Sequence, residues 1–162
     1  MSDKDQTRDA FLGGRVHVWQ PKNGYRAGVD PVLLAAACPA RPGDRVLELG
    51  CGVGVASLCL ATRVDAVSVT GIERQADYAA LARRNALEAS LPVDIVEGDI
   101  ADLPSDLRRL SFDHVIANPP YFLAGEGTGA QERGRDNSFR EDTPLHVWLK
   151  VARARPVSYT HL

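Results

Sequence analysis

Four consecutive residues, Asn118-Pro119-Pro120-Tyr121, follow an apolar run and combine groups that can hold a planar amine. Proline has no N–H for a strand ladder, so two prolines end the strand and fix the direction of the groups beside them. The Asn118 side-chain oxygen and a proline carbonyl can then both accept from one NH2 group, while Tyr121 stacks on the ring that carries it. The motif predicts a site that acts on a planar nitrogen by positioning and electrostatics. A proline-rich turn with a packing tyrosine is the plainer alternative.

A glycine-rich motif, ELGCGVG, ends an earlier apolar run and contains Glu48, Gly50, Gly52 and Gly54. Glycines at this point allow a sharp turn into a helix and a close approach of the backbone to a ligand. In open parallel sheets, ligands bind beyond the carboxyl ends of the strands. An acidic residue about 20 positions further on can hold ribose hydroxyls, and Glu73 stands there. A tight strand-to-helix turn without a ligand remains the alternative.

The glycine motif alone does not distinguish between classes of nucleotide-binding enzyme. The dinucleotide fingerprint G-x-G-x-x-G fails from Gly50, because Val55 stands where the third glycine belongs, and from Gly52 it meets Ser57. Asp99, after a later strand, can accept a hydrogen bond from an adenine amine, although an aspartate in a turn needs no ligand. A dehydrogenase would leave the residues from Asn118 to Tyr121 unexplained.

These motifs are predicted to lie at the ends of strands that alternate with helices. Such alternation with short connections indicates an α/β fold with a parallel, doubly wound sheet. Residues before Phe11 look frayed, and Asp30 before Pro31 is typical of a capping carboxylate that starts a helix. The predicted strands cover residues 15–19, 45–50, 66–73, 93–98 and 112–118, and the predicted helices cover 30–38, 53–63 and 76–90, with a short helix or turn in 101–110. A last helix is predicted from Thr143, with an apolar face made of Leu145, Trp148, Val151 and Ala152.

Composition fits a soluble protein and argues against a membrane or metal protein. The net charge is -2, and 44% of the residues are hydrophobic, without any apolar run of the roughly 20 residues that a membrane span needs. Cys38, Cys51 and Cys59 are odd in number and form no CxxC pair, which favours reduced thiols in the cytoplasm. The four histidines are scattered, so we expect no metal site.

The order ELGCGVG, Glu73, GD and NPPY resembles the Rossmann-like (class I) amino-methyltransferases, which bind S-adenosyl-L-methionine. Within them, the segment FLGGRVHVWQPKNGYRAGVDPVLLAAA is similar to the bacterial tRNA1(Val) adenine-37 N6-methyltransferases. The resemblance covers residues 11–151. It implies a mostly parallel sheet with helices on both faces, S-adenosyl-L-methionine as cofactor, and methyl transfer to the exocyclic N6 of an adenine in tRNA.

The resemblance also assigns residues to the two ligands. For the target base it implies Asn118, Pro119, Pro120 and Tyr121. For the cofactor it implies Glu48, Gly50, Gly52 and Gly54 at the methionine part, Glu73 at the ribose, Asp99 at the adenine amine, Asn118 beside it, and Tyr25, Arg26, Gly28 and Asp30 closing over it from the N-terminal side. If tRNA is bound, Arg8, Arg15, Lys22, Arg26, Arg133, Arg135 and Arg140 are candidate phosphate contacts, although solvated surface charges explain each of them as well.

Several other targets remain open from the residues alone. A protein glutamine amide is also a planar NH2 group, and guanine N2 in rRNA and adenine in DNA are further possibilities. An inactive fragment that binds the cofactor without turnover is an alternative of another class. The sequence does not predict an oligomeric state.

The resemblance predicts a sheet of seven strands, and the sequence from residue 45 onward indicates about four of them. We therefore expect residues 1–28 to form an N-terminal extension, residues 29–156 an incomplete methyltransferase domain that lacks its last strands, and residues 157–162 a non-native tail. An unpaired apolar edge favours aggregation. We predict that the chain as written is poorly soluble or marginally stable, which a thermal melt monitored by circular dichroism tests; a sharp cooperative transition would contradict this.

Overall fold

The computed structural model describes residues 5–119 and 143–154, which form an antiparallel hairpin and a parallel sheet with helices on both faces. The α/β fold is therefore confirmed. In chain order the elements are β1 (Gln6–Phe11), β2 (Val16–Pro21), α1 (Asp30–Ala37), β3 (Arg45–Leu49), α2 (Val55–Arg63), β4 (Ser68–Glu73), α3 (Ala76–Ala89), β5 (Val93–Glu97), α4 (Ser105–Arg109), β6 (His114–Ala117) and α5 (Leu145–Ala154).

The parallel sheet has the strand order β5-β4-β3-β6, and its central strand β3 is covered on both faces. Successive side chains of a strand point to opposite faces. Val46 accordingly joins one hydrophobic cluster, and Leu47 joins the other. Strands buried on both sides read as mostly apolar runs, which is why β3 was predictable, whereas the edge strands β5 and β6 are partly exposed.

The two clusters divide the helices between the faces of the sheet. The first contains residues of α1, α2 and α3 together with the hairpin. The second contains Leu107 of α4 and Trp148 of α5, with Ile100, Leu103 and Phe112 from the connections. Leu145, predicted to share the apolar face of α5, is instead 59% exposed. No helix of the described part of the chain is long and apolar enough to cross a bilayer.

The N-terminal hairpin corrects the expectation that residues before Phe11 are frayed. Residues 6–11 form β1, which pairs antiparallel with β2 from Gln6–Pro21 to Phe11–Val16. The local sequence of β1 is polar, so its order comes from pairing and from docking rather than from its own hydrophobic pattern.

Asn85 of α3 fastens the hairpin to the rest of the molecule. Its side chain is completely buried. The Oδ1 atom accepts from the Trp19 main-chain N–H at 2.8 Å, and Nδ2 donates to the Trp19 carbonyl at 3.0 Å and the Val53 carbonyl at 3.0 Å. One amide therefore bonds both β2 and the segment between β3 and α2. At the surface, the indole N–H of Trp19 donates to Glu88 at 2.8 Å, and the Arg84 guanidinium lies 4.4 Å from the ring centroid.

The loop between β2 and α1 is held by polar contacts from the hairpin. The buried Gln20 side chain accepts from the Ala27 N–H at 2.7 Å and donates to Asp9 at 2.7 Å. The Arg26 guanidinium donates to Asp9 at 2.6 Å and to the Pro21 carbonyl at 2.7 Å. Arg26 thus has internal partners, and its predicted contacts with cofactor or phosphate would have to compete with them.

The start of α1 differs from the prediction that Asp30 is a capping carboxylate. The N-cap position is Val29, Asp30 is the first helical residue, and the structure contains no side-chain cap hydrogen bond there. A carboxylate in the first turn still interacts favourably with the helix dipole. Pro120, Tyr121, the arginines at positions 133, 135 and 140, and residues 157–162 lie outside the described residues.

We predict that Asn85→Ala lowers the free energy of unfolding by about 3 kcal/mol, because it leaves two carbonyls and one N–H buried without their partner. Urea unfolding monitored by circular dichroism measures this change. Leu87→Ala, on the same helix at a position that is 80% exposed, is the matched control and should leave the stability nearly unchanged. A loss equal to that of the control would show that the Asn85 bonds contribute nothing.

Candidate active site

The parallel register brings the predicted site residues to one edge of the sheet. Leu49 of β3 pairs with Ala117 of β6 and with Ile72 of β4, and Glu73 pairs with Glu97 of β5. The residues that follow these positions therefore lie side by side at the carboxyl ends of the strands. They are Gly50 to Gly54 after β3, Glu73 at the end of β4, Gly98 and Asp99 after β5, and Asn118 and Pro119 after β6.

The segment from Gly50 to Gly54, here called the glycine loop, turns the chain from β3 into α2. Gly50, Gly52 and Gly54 have φ angles of +63, +55 and +88°, a region that disfavours other residues. A Cβ on Gly52 would meet no atom within 4 Å, so the space beside this part of the backbone is open. The loop can therefore receive a ligand against its main chain.

Three contacts with β4 hold the glycine loop. Glu73 accepts from the Gly52 N–H at 2.9 Å with one oxygen and from the Gln75 N–H at 2.8 Å with the other. The Cys51 N–H donates to the Ile72 carbonyl at 3.0 Å. The Cys51 side chain fills the space beside Gly71, where a Cβ would lie 2.7 Å from Sγ. Glu73 thus reaches the loop itself, in addition to standing at the predicted ribose position.

Glu48 lies below the glycine loop and faces the start of α2. It is 4% exposed, and its carboxylate accepts from both the N–H (2.9 Å) and the hydroxyl of Ser57. The carboxylate therefore satisfies one of the N–H groups that a helix leaves free in its first turn. Burial raises the pKa of Glu48 to about 7; the two Ser57 bonds oppose this shift and the Glu73 charge adds to it. Contact of Glu48 with a cofactor stays a prediction.

Asp99, Asn118 and Pro119 are more exposed to solvent than Glu48 and Glu73. Asp99 is half-buried, and one of its carboxylate oxygens accepts from the Ala101 N–H at 2.8 Å. Asn118 and Pro119 are both half-buried directly after β6. Among the residues that the structure describes, no group of three or more His, Cys, Asp or Glu side chains could hold a metal ion.

The residues predicted to close over the cofactor from the N-terminal side lie in and after the loop that follows β2. Tyr25 packs on the first hydrophobic cluster, and its carbonyl accepts from the Tyr78 hydroxyl at 3.2 Å. Gly28 and Asp30 are exposed. The structure anchors this loop to α3, and closure over a cofactor remains a prediction.

Two residues that support the glycine loop were not predicted to do so. Ser57 entered the sequence analysis only as a residue that breaks the dinucleotide fingerprint. In the structure it donates two hydrogen bonds to Glu48. Its position in the first turn of α2 was the sequence feature that could have indicated this contact. Trp148, predicted only as part of an apolar helix face, packs against Gly50. Trp148 lies far away in sequence, and no local pattern indicates this contact.

The raised pKa of Glu48 predicts a specific pH dependence of stability. The folded protein binds this proton more tightly than the unfolded chain, so the contribution is present below the unfolded pKa of 4.5 and is lost as the pH rises to about 7. The loss should reach about 3 kcal/mol at most. Glu48→Gln should remove this part of the profile, as measured by urea unfolding between pH 4.5 and 8.

The exposed Glu97→Gln is the matched control for this profile, and it should retain the wild-type pH dependence. Superimposable profiles for the wild type and Glu48→Gln would show that Glu48 is already ionised when folded.

Comparison with known proteins agrees with this arrangement. Residues 27–132 match the family model for the methyltransferase small domain. The chain is 33% identical over 130 residues to a tRNA1(Val) (adenine(37)-N6)-methyltransferase of Klebsiella pneumoniae (strain 342), an alignment that covers 78% of this chain and 52% of that protein. The chain thus spans about half the length of these curated relatives.

Solved structures show the same fold. A predicted O-methyltransferase from Agrobacterium tumefaciens, protein Atu636, superposes with a TM-score of 0.50 at 32% identity over 58% of this chain and 50% of that one. TrmN from Thermus thermophilus superposes with a TM-score of 0.50 at 29% identity over 57% of this chain and 28% of that one. Since the family model matches more than half of its residues, the chain belongs to the methyltransferase small domain family.

Proposed function

We propose that this protein transfers a methyl group from S-adenosyl-L-methionine to the exocyclic N6 of an adenine in tRNA. The observation that carries the proposal is the register of β3 with β6, which pairs Leu49 with Ala117. It sets Asn118, a predicted ligand of the amine, beside the glycine loop, the predicted cofactor site. The Klebsiella relative, named a tRNA1(Val) (adenine(37)-N6)-methyltransferase, supports the choice of adenine and tRNA.

The residues at the sheet edge fit the proposed cofactor. The open space beside Gly52 suits a close approach to the main chain, and the Glu73 and Asp99 carboxylates suit ribose hydroxyls and an adenine amine. Gly50 and Gly54 would complete the loop around the methionine part, with Tyr25, Gly28 and Asp30 on the N-terminal side. When bound, S-adenosyl-L-methionine supplies an electrophilic methyl group on a sulfonium sulfur.

Asn118 and Pro119 would prepare the amine for the reaction. Their oxygens accept hydrogen bonds from the two N–H groups of a planar amine and draw the nitrogen toward tetrahedral geometry, which frees its lone pair. Such preorganised acceptors act where charge develops. Pro120 would help to fix the turn, and Tyr121 would stack on the ring; both lie outside the described residues.

An adenine in a tRNA loop fits this site better than a base within a duplex. A paired base must leave its stack before an enzyme can reach it, whereas loop bases can be splayed out. Arg8 and Lys22 on the hairpin are exposed candidates for phosphate contacts, while Arg15 already donates to the Thr62 carbonyl at 3.3 Å.

We predict that the protein, supplied with S-adenosyl-L-methionine and unmodified bulk tRNA, forms N6-methyladenosine, detected by mass spectrometry of digested RNA. Asn118→Ala should lower the rate by about 100-fold or more, because it removes an acceptor that acts on the reacting amine. Ser68→Ala, exposed at the opposite end of β4, is the control and should keep wild-type activity. The Klebsiella relative serves as the positive control.

Each other product points to a different function. Methylated guanine from ribosomal RNA, methylated adenine from DNA or methylated glutamine in a peptide, without a tRNA product, would replace the proposed substrate. Binding of the cofactor with no product on any of these substrates, while the Klebsiella relative is active, would identify this chain as an inactive cofactor-binding fragment.

A further inference from the structure

Trp148 of α5 occupies the space that a side chain at position 50 would need. The indole is 3% exposed in the second hydrophobic cluster. A Cβ built on Gly50 would lie 2.4 Å from Cη2 and 3.0 Å from Cζ3 of the ring. The far edge of the indole therefore rests directly on the first residue of the glycine loop.

Burial of this tryptophan places a polar N–H group in the second hydrophobic cluster, which a purely apolar filling residue would not do. Its Nε1–H is buried, and no acceptor for it lies in residues 5–119 or 143–154. A buried donor that lacks a hydrogen-bond partner destabilises the folded state. Phenylalanine would fill apolar space without this cost, but its shorter ring would not extend as far as the indole atoms that contact Gly50. The reach of the indole is thus what distinguishes tryptophan at this position.

Trp148 contacts a segment of main chain that otherwise has unusually high conformational freedom. Gly50, Gly52 and Gly54 all have positive φ, and glycine loses more conformational freedom on ordering than any other residue. Glu73 and Gly71 restrain the loop from β4. Trp148 restrains Gly50 from the opposite cluster, so that the loop is already shaped before a ligand arrives. Preorganisation of this kind raises affinity by lowering the ordering cost of binding.

We propose that Trp148 is a positioning residue for the cofactor: by packing against Gly50 it holds the glycine loop in its binding conformation and so sets the affinity for the cofactor. This inference rests on the proposed function, since it requires the loop to bind S-adenosyl-L-methionine. It concerns a residue that touches the loop and has no role in the chemistry itself.

The test measures binding of S-adenosyl-L-homocysteine, the product form of the cofactor, by isothermal titration calorimetry, with thermal stability recorded for each variant. Trp148→Leu should raise the Kd by about tenfold. Trp148→Phe, which keeps an aromatic filling group, should fall between Trp148→Leu and the wild type. Phe112→Leu is the matched control, because Phe112 is also 3% exposed in the same cluster, while the three atoms nearest the Gly50 Cβ position all belong to Trp148. It should lower the melting temperature and leave the Kd within about twofold of the wild type.

A spectroscopic readout makes the test independent of general stability. The chain has two tryptophans, so Trp19→Phe leaves Trp148 as the single indole fluorophore. Its emission should change on addition of S-adenosyl-L-homocysteine, with a midpoint equal to the calorimetric Kd.

The possible failures are distinguishable. If the wild type does not bind S-adenosyl-L-homocysteine, both the proposed cofactor site and this inference fall. If the wild type binds and the Trp148 variants bind equally well, the inference alone is wrong. If Phe112→Leu weakens binding as much as Trp148→Leu, Trp148 contributes only to the core, and the inference is again overturned.

Discussion

The turn from β3 into α2 is the constraint around which the other features of the site are arranged. Within five residues the chain leaves a strand that is buried from Val46 to Leu49, passes three left-handed glycines and enters a helix whose first turn is buried. A backbone of this kind does not hold its shape alone. Glu48 lies below this turn, β4 lies on one side of it, and the Trp148 indole lies on the other. A ligand at this edge would meet a loop whose conformation the fold has already selected.

Three acidic residues, Glu48, Glu73 and Asp99, lie near that turn, and they differ in burial and in hydrogen-bond partners. Glu48 is buried, and its carboxylate accepts two hydrogen bonds from Ser57 in the first turn of α2. Glu73 binds two main-chain N–H groups and still stands at the end of its strand. Asp99 is half-buried, and its side chain accepts a hydrogen bond from the Ala101 N–H. Residue type and spacing suggested cofactor contacts for all three, whereas the structure gives Glu48 and Glu73 tasks within the protein as well.

The sequence predicted those features that depend on a few consecutive residues. Short runs rich in apolar residues marked the four parallel strands, and the glycines and prolines marked where two of them end at the site. The hairpin strand β1 was missed because its polar residues acquire order only through pairing with β2 and through Asn85. The contact of Trp148 with Gly50 was missed because it joins residues on opposite sides of a long intervening segment. The helix start at Asp30 was located correctly, but the expected capping bond is absent since the helix begins one residue too early for it.

The Asn85 amide has a consequence that concerns thermodynamic linkage. It bonds the main chain of Trp19 in the hairpin and the Val53 carbonyl within the glycine loop at the same time. Coupling free energies between two binding events are reciprocal. A ligand whose binding to the loop alters the Asn85 bonds, and a ligand whose binding to the hairpin alters them, would therefore change each other's affinity by the same factor. The hairpin shares one buried amide with the loop in this way, although it supplies no glycine and no carboxylate to it.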